Sequence, residues 1–242
     1  MKQAKDYLVF PLDFSTLKEA QSFVDRLAAD VGMFKIGLEL FIEQGPAAIQ
    51  MVRDHSDARI FLDLKLHDIS KTVERAMARV AHLGVDLVTV HCSSSIQMLE
   101  QAVKGGQGRT GVLGVTLLTD NDAVCVEASG FKDIYVRDPG ELVMKRAQMA
   151  FDAKCSGVVC SGQEVRLIKS RFGKTFLAVT PGIRPAFSIL ENDDQKRVTT
   201  PAQAIRDGSD LLVIGRPIKM AADPEGAAAM ILDEIRSAVD EF

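Results

Sequence analysis

Between Phe61 and Thr72 the chain reads FLDLKLHDISKT, and its charged residues are spaced for chemistry. Residues two apart in a strand point the same way. Asp63 and Lys65 are therefore expected on one face, and Leu62, Leu64 and Leu66 on the other. Asp68 follows just beyond. Two carboxylates around one ammonium, at the mouth of a buried strand, are costly to desolvate, and such an array persists where the charges pair or do chemistry. A lone Asp-x-Lys is most simply a salt bridge at a strand end. This one has company: the two strand-like runs before it end in Asp13 and Lys35. Packing does not require a ring of alternating charge from three adjacent strands, although an ion-pair network would also account for it.

A second set of residues points to an anion. Thr180-Pro181-Gly182-Ile183-Arg184-Pro185 follows one apolar run, and Gly215-Arg216-Pro217 follows the last. Glycine lets backbone amides approach an anion closely, and arginine forks onto phosphate oxygens. Two ordinary turns with surface arginines are the plainer reading. The polar stretch between Arg184 and Thr200, AFSILENDDQKRVTT, has the length and composition of a mobile flap.

The elements that must carry these residues alternate from end to end. Strands are expected at Tyr7–Phe14, Met33–Leu38, Arg59–Leu66, Leu87–Cys92, Gly111–Leu118, Gly157–Ser161, Phe176–Thr180 and Leu211–Gly215. Their near-continuous apolar runs suit strands buried on both faces. Helices are expected at Thr16–Ala29, Pro46–Arg53, Lys71–Leu83, Glu141–Lys154, Pro201–Asp207 and Asp223–Glu241. Ser15 precedes the first, Thr200-Pro201 reads as an N-cap followed by proline, and Gly84 and Gly208 close helices. No linker divides the chain, so residues 1–242 are expected to form one α/β domain, a (β/α)8 TIM barrel. A doubly wound open sheet normally shows a glycine-rich turn after its first strand; here that turn is LDFSTLK. In a barrel the strand ends named above gather at the C-terminal face, where the last two loops commonly hold phosphate.

Composition excludes several functions. A chain of 242 residues with 47% hydrophobic and 26% charged residues is ordinary for a globular protein. The formal charge of −4, without a basic run, argues against nucleic-acid binding. No segment approaches the roughly 18 apolar residues of a membrane span, nor is there a signal-like apolar run. Cys92, Cys125, Cys155 and Cys160 lack metal spacing and read as reduced thiols, so a cytoplasmic protein is expected. His67 is expected to point away from the pocket, His91 to play a structural role at a strand end, and His55 and His82 to lie at the surface.

Taken together, DLKLHDI at 63–69, Asp13, Lys35, PGIRP, DQKRV and IGRPI resemble the orotidine 5′-monophosphate decarboxylase family from strand one to strand eight. The D-x-K-x-x-D core alone would indicate only a wider superfamily. The resemblance implies decarboxylation of orotidine 5′-monophosphate to UMP, without metal or organic cofactor, by a homodimer. It implies Lys65 as the acid that protonates pyrimidine C6, and Asp63 against the substrate carboxylate. Asp68 and Thr72 would reach the partner subunit's site. Asp13 and Lys35 would hold the ribose hydroxyls, with Lys35 also part of the catalytic array. Thr119 would stand at the pyrimidine edge. Gln195, Arg216 and the Gly215 amide would grip the phosphate, with Arg184 in the same loop. Ser70-Lys71 stands where relatives often have Pro-Asn, and Phe187 to Asn192 departs from the usual small-residue flap.

The residues also admit two other readings. A metal-dependent sugar-phosphate decarboxylase or synthase shares the barrel and the D-x-K-x-x-D core. A non-catalytic phosphate-binding barrel would bind nucleotide without turnover and leave the charge array unexplained.

Overall fold

The computed structural model of the chain describes residues 2–188 and 198–241. Eight apolar runs become strands: β1 (Leu8–Pro11), β2 (Met33–Gly37), β3 (Arg59–Leu66), β4 (Leu87–His91), β5 (Gly111–Val115), β6 (Gly157–Val159), β7 (Leu177–Thr180) and β8 (Leu211–Val213). Each pairs in parallel with its neighbours in sequence, and β8 returns to β1 through Leu8–Leu212 and Val9–Val213. The sheet is a closed barrel, so the doubly wound alternative is excluded.

Alternation along the strands divides the apolar residues into two cores. Val9, Met33, Phe61, Leu87, Leu113, Val179 and Leu211 pack together inside the barrel. Their neighbours Leu8, Phe10, Phe34, Ile36, Ile60, Leu62 and Val88 face outward into the layer beneath the helices. This outer layer includes the fully buried Phe10, stacked on Phe23. Truncating such a phenylalanine costs about 3–5 kcal/mol. Leu142, Ala147 and Ala150 of helix Pro139–Asp152 join the same layer.

Several elements begin or end elsewhere than expected. The first helix is Leu17–Leu27 and is capped by Thr16, whose hydroxyl accepts from the Glu19 N–H at 3.2 Å, not by Ser15. Thr200 caps Pro201–Arg206 as expected, and Gly84 and Gly208 take φ of 68° and 100° at helix ends. Strands expected to run to Phe14, Leu118 and Gly215 stop at Pro11, Val115 and Val213. Their last residues are apolar enough to read as strand but leave the ladder to form the loops of the C-terminal face. No helix among the described residues is long and apolar enough to cross a membrane.

Candidate active site

On three adjacent strands the interior apolar layer is capped by polar residues two positions further along. On β2, Met33 is followed inward by Lys35; on β3, Phe61 by Asp63; on β4, Leu87 by Thr89. These three side chains are buried and held by one another. Lys35 Nζ lies 3.4 Å from Asp63 Oδ2 and donates to Asp13 Oδ1 at 3.1 Å. Asp13 is carried there because the Leu12 N–H bonds the Lys35 carbonyl at 2.8 Å, extending the β1–β2 pairing. Gly37 makes room: a Cβ there would stand 2.9 Å from Asp13 Oδ1 and 3.1 Å from Lys35 Nζ.

Lys65 joins the array through an irregularity in its strand. Its φ is 49°, and the β3–β4 register shifts between Leu62 and Leu66. Holding a lysine in this region has a strain cost. The Lys65 N–H turns to the Thr89 hydroxyl at 2.9 Å, and that hydroxyl donates to Asp63 Oδ1 at 2.8 Å. The Lys65 ammonium meets Asp63 Oδ2 at 2.9 Å. Burial alone would raise the Asp63 pKa, but the Lys35 and Lys65 charges, with hydrogen bonds from Lys65 and Thr89, hold it below the ordinary carboxylate range. Asp63 is therefore an anion fixed between two cations.

Within one chain only one carboxylate among the described residues meets Lys65. Asp68 is exposed, and its Oδ1 accepts from the Ile69 N–H at 2.6 Å. The second partner in the array is Lys35. Thr72 is half-buried in helix Ser70–His82, away from the barrel interior. Within one chain, neither Asp68 nor Thr72 is brought to Lys65.

Lys35, Asp63, Lys65 and Thr119 line a cavity of about 170 Å³, with Phe61 below and Leu117 and Pro181 at its walls. A wider depression of about 680 Å³ near Lys5, Tyr7 and Arg236 lies at the N-terminal ends of the strands, the face that in barrels serves stability. Beyond β7, Gly182 takes φ of 73°, and Ile183 bridges to Thr199, which ties the two ends of the 184–198 segment together. Arg184 is buried, and its Nη1 donates to the Ile183 carbonyl at 3.0 Å. Arg216 is the exposed arginine of this pair, at the start of helix Arg216–Lys219 just after Gly215. Gln195 and most of the expected flap lie outside the described residues.

Residues 6–231 match a family described as Orotidine 5′-phosphate decarboxylase / HUMPS. The chain belongs to this family. A relative from Desulfosudis oleivorans named orotidine 5′-phosphate decarboxylase is 51% identical over 97% of this chain and 95% of its own. One of the same name from Geobacter sulfurreducens is 44% identical, covering 96% and 97%. The crystal structure of the enzyme from Lactobacillus acidophilus superposes with a TM-score of 0.80 at 34% identity, over 96% of this chain and 99% of that one.

For a family member, the polar layer holds residues that a reading by charge passes over. Thr89 links the Asp63 carboxylate to the Lys65 backbone, and it could have been found by extending the inward alternation of β4 two residues past Leu87. Lys219 donates to the Asp13 carbonyl at 2.6 Å and lies over the Phe14 ring, a long-range contact without a local signal. Of the histidines, His67 does not line the cavity and stands 5.7 Å from the half-buried His91 ring, with Ser93 near it. Burial lowers the His91 pKa, helped by the charges of His67, Lys65 and Arg146. His55 pairs with Asp25 at 2.7 Å, and His82 bonds the Ala78 carbonyl. No group of three or more His, Cys, Asp or Glu among the described residues is arranged to hold a metal ion.

Proposed function

We propose that this chain decarboxylates orotidine 5′-monophosphate to UMP, with the Lys65 ammonium stabilising and then protonating the carbon left at C6. The observation that carries the reading is the Asp63 carboxylate fixed by Lys35, Lys65 and Thr89 at the floor of the Thr119-walled cavity. When the bond from C6 to the carboxylate breaks, its electron pair stays in the plane of the ring, where the π system cannot delocalise it. Carbon dioxide leaves, and C6 takes a proton from Lys65 Nζ. Preorganised charge stabilises such an anion without reorganisation at the moment of reaction.

Asp13, Lys35, Asp63 and Lys65 sum to no net charge, so the placement of Lys65 must do the stabilising, not an excess of positive charge. Asp63 both orients that ammonium and presents negative charge to the substrate carboxylate. Asp13 and Lys35 suit the ribose hydroxyls. Gly215, Arg216 and Gln195 suit the phosphate, with Arg184 shaping the loop.

Asp68 and Thr72 fit the homodimer reading, in which they serve the partner subunit's site. Supporting it, Asp68 is exposed beside Ile69, 71% exposed, and Ile42 is 78% exposed on helix Leu38–Gln44. Free cysteines and a nucleotide substrate fit a cytoplasmic enzyme.

The test is the ultraviolet absorbance of orotidine 5′-monophosphate mixed with the protein in excess EDTA. Fast loss of the orotate band with appearance of UMP is expected. Tight binding without loss would favour a non-catalytic barrel. Turnover only of sugar phosphates with added magnesium would favour the metal-dependent synthase reading.

A further inference from the structure

Arg146 sits on helix Pro139–Asp152, facing the barrel, and is 8% exposed. A guanidinium taken out of water needs partners to hold it. Instead of a carboxylate, it meets the Thr116 carbonyl oxygen, to which Nη1 donates at 2.6 Å, and the ring of Phe131, 5.2 Å from the guanidinium carbon. Burial accordingly pushes its pKa down.

Thr116 is the first residue past β5. Its N–H and hydroxyl both donate to the Val159 carbonyl, at 3.3 and 2.8 Å, at the end of β6. Its own carbonyl lies beyond the ladder, and buried carbonyls are rarely left without a donor. Arg146 supplies the donor. Directly after it, Leu117, Leu118 and Thr119 form the cavity wall above Asp63 and Lys65. Phe131 belongs to the same excursion, between helices Ala123–Ala128 and Asp133–Arg137. One side chain thus pins the segment where it leaves the barrel and again before it returns. A planar guanidinium can donate in its plane and stack through its face at once, which a lysine cannot.

We propose that Arg146 is a positioning residue that sets where the Leu117–Thr119 wall stands against the substrate ring, without itself touching substrate. The inference rests on the decarboxylase reading above. Small displacements of a positioning wall are expensive, because catalysis depends on near-attack geometry.

The full chain is tested as Arg146→Met, Arg146→Lys and Phe131→Leu, with kcat and KM for orotidine 5′-monophosphate. Inhibition by UMP, which carries the pyrimidine, is compared with inhibition by ribose 5-phosphate, which does not. Arg146→Met is expected to lose about tenfold or more in kcat/KM. UMP inhibition should weaken, while ribose 5-phosphate inhibition stays within about twofold. Arg146→Lys should recover part of the loss, and Phe131→Leu should repeat the pattern at smaller size. Unchanged kcat/KM in Arg146→Met, or equal weakening of both inhibitors, overturns the proposal. If Arg146→Met does not fold, Phe131→Leu decides: unchanged kcat/KM and UMP inhibition overturn the proposal. A wild type without turnover refutes the decarboxylase reading and this inference with it. A wild type with turnover beside an unaffected Arg146→Met refutes the inference alone.

Discussion

Lys65→Ala removes the ammonium on which the proposed mechanism turns while leaving Asp63 in part compensated. After the substitution, Asp63 keeps Lys35 at 3.4 Å and the Thr89 hydroxyl at 2.8 Å, so the array loses one cation and the fold is expected to survive. The size of the catalytic loss follows from the distance at which Lys65 already holds an anion, 2.9 Å. At an effective dielectric constant of about 20, unit charges at that separation interact by about 6 kcal/mol. At about 1.4 kcal/mol per decade this is roughly four powers of ten in rate. Loss of the proton donor adds at least about a hundredfold. The assay is the fall in orotate absorbance over hours at high enzyme concentration, beside equilibrium binding of UMP. Turnover should drop by about six powers of ten, with UMP affinity changed far less, because the residues proposed to hold phosphate and ribose stay in place. Turnover within a hundredfold of wild type would refute the role given to Lys65.

Three further outcomes are expected. Gly37→Ala places a methyl group 2.9 Å from Asp13 Oδ1 and 3.1 Å from Lys35 Nζ, while its φ of −90° suits alanine. It should lower kcat/KM about tenfold with little change in Tm, and an unchanged rate would mean that the Asp13–Lys35 pair is dispensable. His91 has a folded pKa below its ordinary 6.5 because of burial and nearby positive charge. Between that folded value and 6.5 the unfolded chain binds more protons, so stability rises with pH through this window and falls as the pH drops below 6.5. His91→Gln should flatten Tm against pH over that range, and an unaltered slope would contradict the burial argument. Cys92 is 2% exposed, its thiol pushed up to about 12 by burial. Iodoacetamide should therefore modify Cys125, which is half-buried, well before Cys92, and equal rates by mass spectrometry would show that the β4 end opens readily.

The sequence by itself determined the barrel's strands and which charges lie in its mouth. Eight apolar runs separated by helical patterns leave few architectures. Counting in twos from Met33 and Phe61 puts Lys35 and Asp63 inside the barrel, because alternation holds wherever the ladder is regular. Leu87 to Thr89 obeys the same count, but an uncharged threonine among apolar neighbours carries no charge signal. Only the tertiary structure decided what happens where the ladder ends. Lys65 reaches Asp63 from a left-handed backbone, a conformation that alternation does not foresee and that the Thr89 hydroxyl helps to hold. Asp68, three residues on, is turned outward, and the second cation on Asp63 comes from β2, far away in sequence. Arg146 and Lys219 bond backbone carbonyls 30 and 206 residues away. Periodicity tells which side of a strand a residue faces. Which side chain meets it across the barrel mouth depends on how the strands close on one another and on loops that no longer follow their period.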